Sequence, residues 1–389
     1  MNRCRRYGAL LWWCVLVVGC GQVGDGDGAG QERVGASVAA IDTPVVAPVT
    51  ATALATKEVP ATYTAIPLVT ATATATLTPT PTATPTETPT PTVTPTPTIT
   101  PTPSATPINR TCPNPAPLKP AYSRSARGDS WPRPDISQTE THFWLGHPFA
   151  GGSRLLVNNN FPYGWDMSGR LLLHNGIDMA QPLGTPVLAV GDGRVVVAQG
   201  DQDELYGWRC NWYGHLVVIE LDQQWQGQSI YALYGHVLEL KVVEGERVVR
   251  GQELAEVGYG GAATHPHLHF EVRVGTNEFS STRNPVLWIS PGPTRGVIVG
   301  RLVDGGGRPW QGVGISIVGG PRGELVNSWS YLGDPQNLMN PDEGWAENFV
   351  FGDVRPGTYR LATKVNGRTY SQEIEVVGGE ITVVEIVTE

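Results

Sequence analysis

Along the second half of this chain, short apolar runs alternate with Gly and Asp turns. Pro186 to Val190 leads through Gly191-Asp192-Gly193 into Val195 to Ala198. Leu216 to Leu221 and Ser229 to Tyr234 follow, and Gly245 to Gln252 leads into Leu254 to Val257. Strands at this spacing predict an antiparallel β core between Phe161 and Val274. A second β region runs from Gly296 to Glu389, with apolar stretches at Gly296 to Gly300, Val313 to Val318 and Phe349 to Phe351. Past the turn Arg355-Pro356-Gly357, alternating runs occupy Tyr359 to Lys364, Tyr370 to Val377 and Ile381 to Val387. That region reads as a small β-sandwich. No segment carries a sustained helical period, so the fold class is mainly β.

The first third follows different rules. Arg3, Arg5 and Arg6 precede an apolar stretch, Leu10 to Val18, which has the length of a secretory signal rather than a membrane span. It ends in Val17-Val18-Gly19-Cys20, which resembles a bacterial lipobox. Cys20 is then the lipidation site, and an ordinary signal peptide cut nearby or an uncleaved anchor is the alternative. Cys14 fits less well, because bulky Trp13 stands where a small residue is needed. Two or three acyl chains on Cys20 suffice for stable anchoring, whereas one holds only marginally.

From Pro60 to Pro107 the chain is mostly Thr, Pro and Ala. Such a tract cannot bury a core and stays extended as polyproline II. Some 50 residues at roughly 3.1 Å each reach on the order of 150 Å, enough to lift a domain off a membrane and into a wall. The resulting organisation is a lipoprotein signal peptide (1–19), a disordered tether (20–110), a first β domain (111–292, motif core 161–275) and a terminal sandwich (293–389).

Charge and cysteine count narrow the partners. A net charge of −9 supplies few cations for phosphates and argues against nucleic acid or anionic headgroups as partners. After signal removal and lipidation of Cys20, Cys112 and Cys210 remain. In an oxidising compartment they form one disulfide or stay as two free thiols, and both readings stay open.

Candidate chemistry sits in three short motifs: His174-Asn175-Gly176-Ile177-Asp178, Tyr234-Gly235-His236, and His267-Leu268-His269 ahead of Phe270-Glu271-Val272. Residues i and i+2 of a strand share a face, so His267 and His269 project together. Adjacent imidazoles in a core need something that uses their lone pairs, and zinc does so. A catalytic zinc takes three protein ligands. His174, Asp178 and one of the pair His267/His269 supply such a set, leaving His236 and the other histidine beside the water.

From Leu173 to Val274 the chain resembles the lysostaphin/LytM-type zinc metallopeptidases of the duplicated-hybrid-motif fold. The resemblance is carried by His174 to Asp178, Gly184 to Val187, Asp192 to Val196, Tyr213 to Val218, Tyr234 to His236, Gly251 to Leu254 and Pro266 to Glu271. It implies His174, Asp178 and His269 as ligands of one Zn2+ ion and His236 and His267 as the catalytic pair. It also implies hydrolysis of peptide bonds in peptidoglycan, with activity that needs neutral imidazole and falls in acid. His265 stands where this family commonly has Gly, and it reads as a loop residue or an added neighbour of the site. His215 stands where the family often has Asn, and it reads as structural. Trp208, Trp212 and Trp225 read as packing or groove wall, with sugar stacking as the alternative. Gly300 to Asp304, the Gly312-Val313 run and Val354 to Arg360 resemble a carboxypeptidase-regulatory-like sandwich, which implies an accessory without catalytic residues.

The expected protein is thus an extracytoplasmic, lipid-anchored zinc endopeptidase. Its partners are peptidoglycan peptides and the membrane, through the lipid on Cys20. A catalytically inactive scaffold that activates another wall hydrolase is the alternative, and bound zinc separates the two. A wall-binding adhesin that works through its sandwich is a third reading.

Overall fold

The computed structural model describes residues 108–129, 133–135, 139–151, 158–333 and 339–389. The signal segment, the lipobox with Cys20 and the Thr/Pro tract up to Pro107 lie outside the described residues. The described residues belong to one compact unit. Among them there is no α-helix, only two short 3-10 turns at Phe279–Ser281 and Pro285–Leu287.

A two-residue strand, β1 (Ala126–Arg127), precedes the main sheet. That sheet has nine strands: β2 (Ile177–Met179), β3 (Pro186–Leu188), β4 (Gly193–Gly200), β5 (His215–Trp225), β6 (Gln228–Leu240), β7 (Arg247–Val248), β8 (Glu253–Val257), β9 (Leu268–Val274) and β10 (Thr282–Arg283). Every pairing in it is antiparallel, along the order β10-β9-β6-β5-β4-β7, with β2 beside β9 and β8 bridging β6 to β3. The apolar run Leu216 to Leu221 serves both faces of β5. Val217, Ile219 and Leu221 enter the main core, while Leu216 and Val218 enter a second cluster with Val197 and Tyr213. Side chains alternate across a strand, so a continuous apolar run marks a strand covered on both sides.

The C-terminal strands are β11 (Gly296–Asp304), β12 (Trp310–Gln311), β13 (Gly314–Gly319), β14 (Glu324–Trp329), β15 (Phe349–Val354), β16 (Gly357–Val365), β17 (Arg368–Val376) and β18 (Ile381–Thr388). A three-stranded sheet, β15-β11-β18, faces a four-stranded one, β14-β13-β16-β17, while β12 pairs with β1. β11 runs parallel to β18 and antiparallel to β15. All nine residues of β11 are buried. Ile298 and Leu302 fill the sandwich core, whereas Val297 and Val299 join Val286, Leu287 and Trp288 in the core of the main sheet. One strand therefore closes two cores, and the sandwich packs onto the main sheet as a further layer.

The sandwich also reaches the segment that carries His174. Gly164 N–H donates to the His174 carbonyl at 2.9 Å, and His174 N–H donates to the Trp165 carbonyl at 3.1 Å. On the other side, Leu332 N–H donates to the Gly164 carbonyl at 3.0 Å, and the Trp165 and Trp329 indoles stack with centroids 5.0 Å apart. Gly164 has φ +78°, and a Cβ there would lie 2.6 Å from the Tyr331 ring. The Tyr331 hydroxyl donates to Glu347 at 2.9 Å and accepts from Asn284 Nδ2, also at 2.9 Å. Burial, reinforced by the charge of Asp342, pushes the Glu347 carboxyl up to about 8.

Gly164→Ala combines left-handed strain with overpacking, each costing on the order of 1–3 kcal/mol, so it should lower the melting temperature by several degrees. A calorimetric scan of the full chain reads this directly. An unfolded Glu titrates near ~4.3, so the raised native value favours folding most below that pH, and the gain is lost as pH rises through about 8. Glu347→Gln should flatten that loss, which melting temperatures measured from pH 5 to 9 will report.

Candidate metal centre

The site forms where β2 lies against β9. Their register sets Asp178 opposite His269. Gly176 permits the approach, because a Cβ there would sit 2.4 Å from the Phe270 carbonyl oxygen and 2.9 Å from His269 Nε2. His174 arrives from the preceding loop, its ring stacked on Phe161 with centroids 4.0 Å apart and planes 4° from parallel. The ligand atoms of His174, Asp178 and His269 all lie within 4.8 Å of one another.

Hydrogen bonds on the outer side of each ring fix which nitrogen faces inward. His174 Nδ1 donates to the Phe161 carbonyl at 2.7 Å. Its Nε2 is therefore an acceptor, yet it lies 3.0 Å from Asp178 Oδ1 and 3.3 Å from His269 Nδ1. His269 Nε2 donates to Glu271 Oε1 at 3.1 Å, so its Nδ1, 2.9 Å from Asp178 Oδ1, is an acceptor as well. With both rings neutral, two ring lone pairs and a carboxylate point at one another. Such an arrangement calls for positive charge, from a ring proton or from a cation at its centre, and two imidazoles with one carboxylate are an ordinary donor set for a divalent metal.

Without an ion, the electrostatics put that positive charge on the rings. Burial alone would raise the Asp178 carboxyl, but attraction and hydrogen bonds from His174, His267 and His269 hold it well below the usual carboxylate range. Burial would lower His269, yet its bonds to Asp178 and Glu271 outweigh that and push it up to about 9. Glu271 is itself fully buried but held down at about 2, chiefly by the Arg273 guanidinium, which donates from Nε at 2.8 Å. Arg273 neutralises Glu271, so the Asp178 charge is left to the imidazoles or to a cation held between them.

The other two histidines flank this centre. His236 is the extra residue of a β-bulge, since His215 pairs with Val237 and Leu216 with Gly235. Its φ of +60° is uncommon for a residue with a side chain, and the bulge re-aims the ring. His236 Nδ1 donates to the Gly260 carbonyl at 2.8 Å, which leaves Nε2 as the acceptor. Burial first, then the neighbouring His269 and His267, lower its pKa to about 3, so the ring stays neutral. His267 Nδ1 donates to the His265 carbonyl at 2.8 Å, and its Nε2 lies 3.5 Å from Asp178 Oδ1. The structure therefore gathers His174, Asp178, His236, His267 and His269 in one place. His265 is an exposed loop residue whose carbonyl supports His267. His215 is exposed on β5, bonded to the Leu238 carbonyl. Trp208 and Trp225 are buried, whereas Trp212 lines the pocket beside the site.

Sequence reasoning missed Asp201. This buried carboxylate accepts from the amides of Trp212, Tyr213 and Gly214 at 2.8–2.9 Å. The turn so formed does two things for the site. The Tyr213 carbonyl accepts from His236 N–H at 3.0 Å, and the Tyr213 hydroxyl donates to Glu271, the residue that orients His269. Only the run Asp201 … Trp212-Tyr213-Gly214 hints at this in the sequence, because a carboxylate ahead of a Gly turn has many other uses. Asp201→Asn replaces at least one charge-assisted bond, worth roughly 1.5–3 kcal/mol, by a clash of donors. If the chain is a hydrolase, turnover should fall about 10–100-fold while bound metal, read by elemental analysis, stays unchanged.

Residues 172–281 match Peptidase family M23. Peptidoglycan DD-endopeptidase ShyB of Vibrio cholerae is 38% identical over 109 residues, which are 28% of this chain and 22% of that protein. The Lipoprotein NlpD/LppB homolog of Pseudomonas aeruginosa is 37% identical over 119 residues, covering 28% of this chain and 35% of that one. This chain thus spans between a fifth and about a third of the length of these relatives. A zinc-containing peptidase from Vibrio cholerae, known as a crystal structure, is 32% identical, covering 34% of this chain and 36% of that one with a TM-score of 0.27. Residues 172–281 are a peptidase M23 domain of the lysostaphin/LytM type.

Proposed function

We propose that this chain is a zinc metalloendopeptidase that hydrolyses peptide bonds in bacterial cell-wall peptidoglycan. The observation that carries the reading is the inward convergence of His174 Nε2, His269 Nδ1 and Asp178 Oδ1, with the outer nitrogen of each ring already hydrogen-bonded. These three residues would hold the ion. When bound, zinc supplies a Lewis acid that polarises a scissile carbonyl and makes water more acidic.

The chain's own residues supply the rest. His236, neutral and with Nε2 free to accept, takes a proton from the attacking water. His267, its Nδ1 tied to a carbonyl, presents Nε2 on the same side as Asp178 and orients the water. The histidine that has gained a proton then donates to the leaving amine and steadies the oxyanion. The substrate class follows from the relatives, among them proteins named as peptidoglycan DD-endopeptidases. A lipid on Cys20 and the Thr/Pro tract would hold the domain outside the cytoplasm, anchored to the membrane and within reach of the wall.

Digestion of purified peptidoglycan with the full chain, followed by mass analysis of the fragments, tests this reading. Wild type should release peptide fragments, and a chelator should stop the release until zinc is restored. His174→Ala should lower activity by at least ~100-fold and lose the ion while circular dichroism still reports the β fold. Fragments released equally well in chelator would overturn the assignment.

A further inference from the structure

The pocket beside the metal centre is lined by the apolar side chains of Phe161, Leu171, Leu173, Trp212 and Ala262 together with His174, Asp178 and His269. Trp212 belongs to a loop that leaves β4 at Gly200 and returns to β5 at His215. The base of this loop is gathered by Asp201. Its far side is held by a segment remote in sequence, residues 110–117, where the chain emerges from the Thr/Pro tract.

That segment is fastened to the loop by several independent contacts. Cys112 and Cys210 form a disulfide. Of the two readings open from the sequence, the bonded one is therefore observed. Leu205 N–H donates to the Arg110 carbonyl at 2.8 Å, and the Arg110 guanidinium returns a bond to the Leu205 carbonyl at 2.9 Å. The same guanidinium lies 4.2 Å above the Tyr206 ring and donates to the Asn277 carbonyl at 2.8 Å. Trp208 Nε1 donates to the Pro117 carbonyl at 3.4 Å.

The loop held in this way closes over Trp212. A Cβ on Gly207 would lie 2.2 Å from Trp212 Cδ1, so the indole rests directly on the Gly207 backbone. The Trp212 carbonyl in turn accepts from Ala262 N–H at 2.8 Å, which joins two parts of the apolar wall. A loop of this length without secondary structure loses much conformational freedom on folding. The strap removes part of that freedom in advance, and so sets the position of the indole before any substrate arrives.

We propose that Trp212 is a specificity-determining residue of the substrate pocket, and that the 110–117 strap, through the Cys112–Cys210 disulfide, is its positioning element. Trp212 provides an apolar face against which the substrate flank beside the scissile bond packs. Cys112 and Cys210 touch no substrate and act only through Trp212. The proposal rests on the peptidase reading above. It adds that the segment following the tether braces the loop that forms part of the wall of the site.

The test uses the full, zinc-loaded chain and purified cross-linked wall peptides as substrate. Trp212→Ala should raise KM about 10-fold with kcat held within about 2-fold, because a ground-state packing surface is lost, and Trp212→Phe should restore most of it. Cys112→Ser/Cys210→Ser should raise KM in the same direction with zinc content unchanged. Combined with Trp212→Ala it should add little, since both act through one indole. An unchanged KM in the cysteine pair, effects that multiply, or a loss confined to kcat or zinc would each overturn the proposal. Calorimetric binding of the same peptides to the same variants separates this from failure of the peptidase reading. If wild type binds without cleaving, only that reading fails, and weaker binding in the same order of variants upholds the role of Trp212. Equal binding across the series, or none by wild type, overturns it.

Discussion

The antiparallel register between β2 and β9 is the constraint on which the site depends. It places Asp178 opposite His269, and a shift of one residue would send either side chain to the other face of its strand. Gly176 makes the register possible, because any side chain there would strike the Phe270 carbonyl. The loop before it then has only a few residues in which to bring His174 alongside. Spacing within His174-Asn175-Gly176-Ile177-Asp178 is therefore a statement about strand geometry, with the chemistry following from it.

Around that register, each imidazole gives one ring nitrogen to the scaffold and keeps one for the site. Phe161, Gly260 and His265 accept through backbone carbonyls, and Glu271 accepts through its carboxylate. Backbone acceptors cannot titrate, so three of the four tautomers are set by the fold itself. The fourth depends on Glu271, and its charge is secured by a fully buried Arg273 whose other bonds run to Tyr206, Tyr213 and Asn277. An isolated buried ion pair is weak evidence for stability. Here its consequence is directional, since it decides which nitrogen of His269 faces His174 and Asp178.

Much of this was legible in the sequence, for identifiable reasons. Period-two runs located the strands, and His267 and His269, two apart, had to share a face. The motifs therefore pointed to residues that do meet. What stayed hidden depended on contacts between distant segments or on backbone conformation. The bulge at His236 leaves no mark in Tyr234-Gly235-His236 beyond a glycine. Phe161, Asp201 and Tyr213 act through a carbonyl, three amides and a hydroxyl, none of which forms a pattern in sequence. The bond between Cys112 and Cys210 spans 98 residues, and composition alone left two possibilities standing. The strand β14 lacked an alternating signal because it lies at the edge of its sheet, with only Ser328 of its six residues buried.

The same distinction changes how the sandwich is understood. Resemblance to regulatory-like domains implied an appendage, and an appendage would leave β11 with one solvated face. β11 instead is buried along its whole length and contributes Val297 and Val299 to the core of the main sheet. Beyond it, Trp329 and Tyr331 press on Trp165 and Gly164, whose backbone is hydrogen-bonded to His174. Only one residue stands between the sandwich and a candidate metal ligand. Packed interiors transmit displacement because they have little room to absorb it. A force on the sandwich, such as attachment to wall material, would therefore act on His174 through well-packed contacts, and the site and its accessory form one mechanical body.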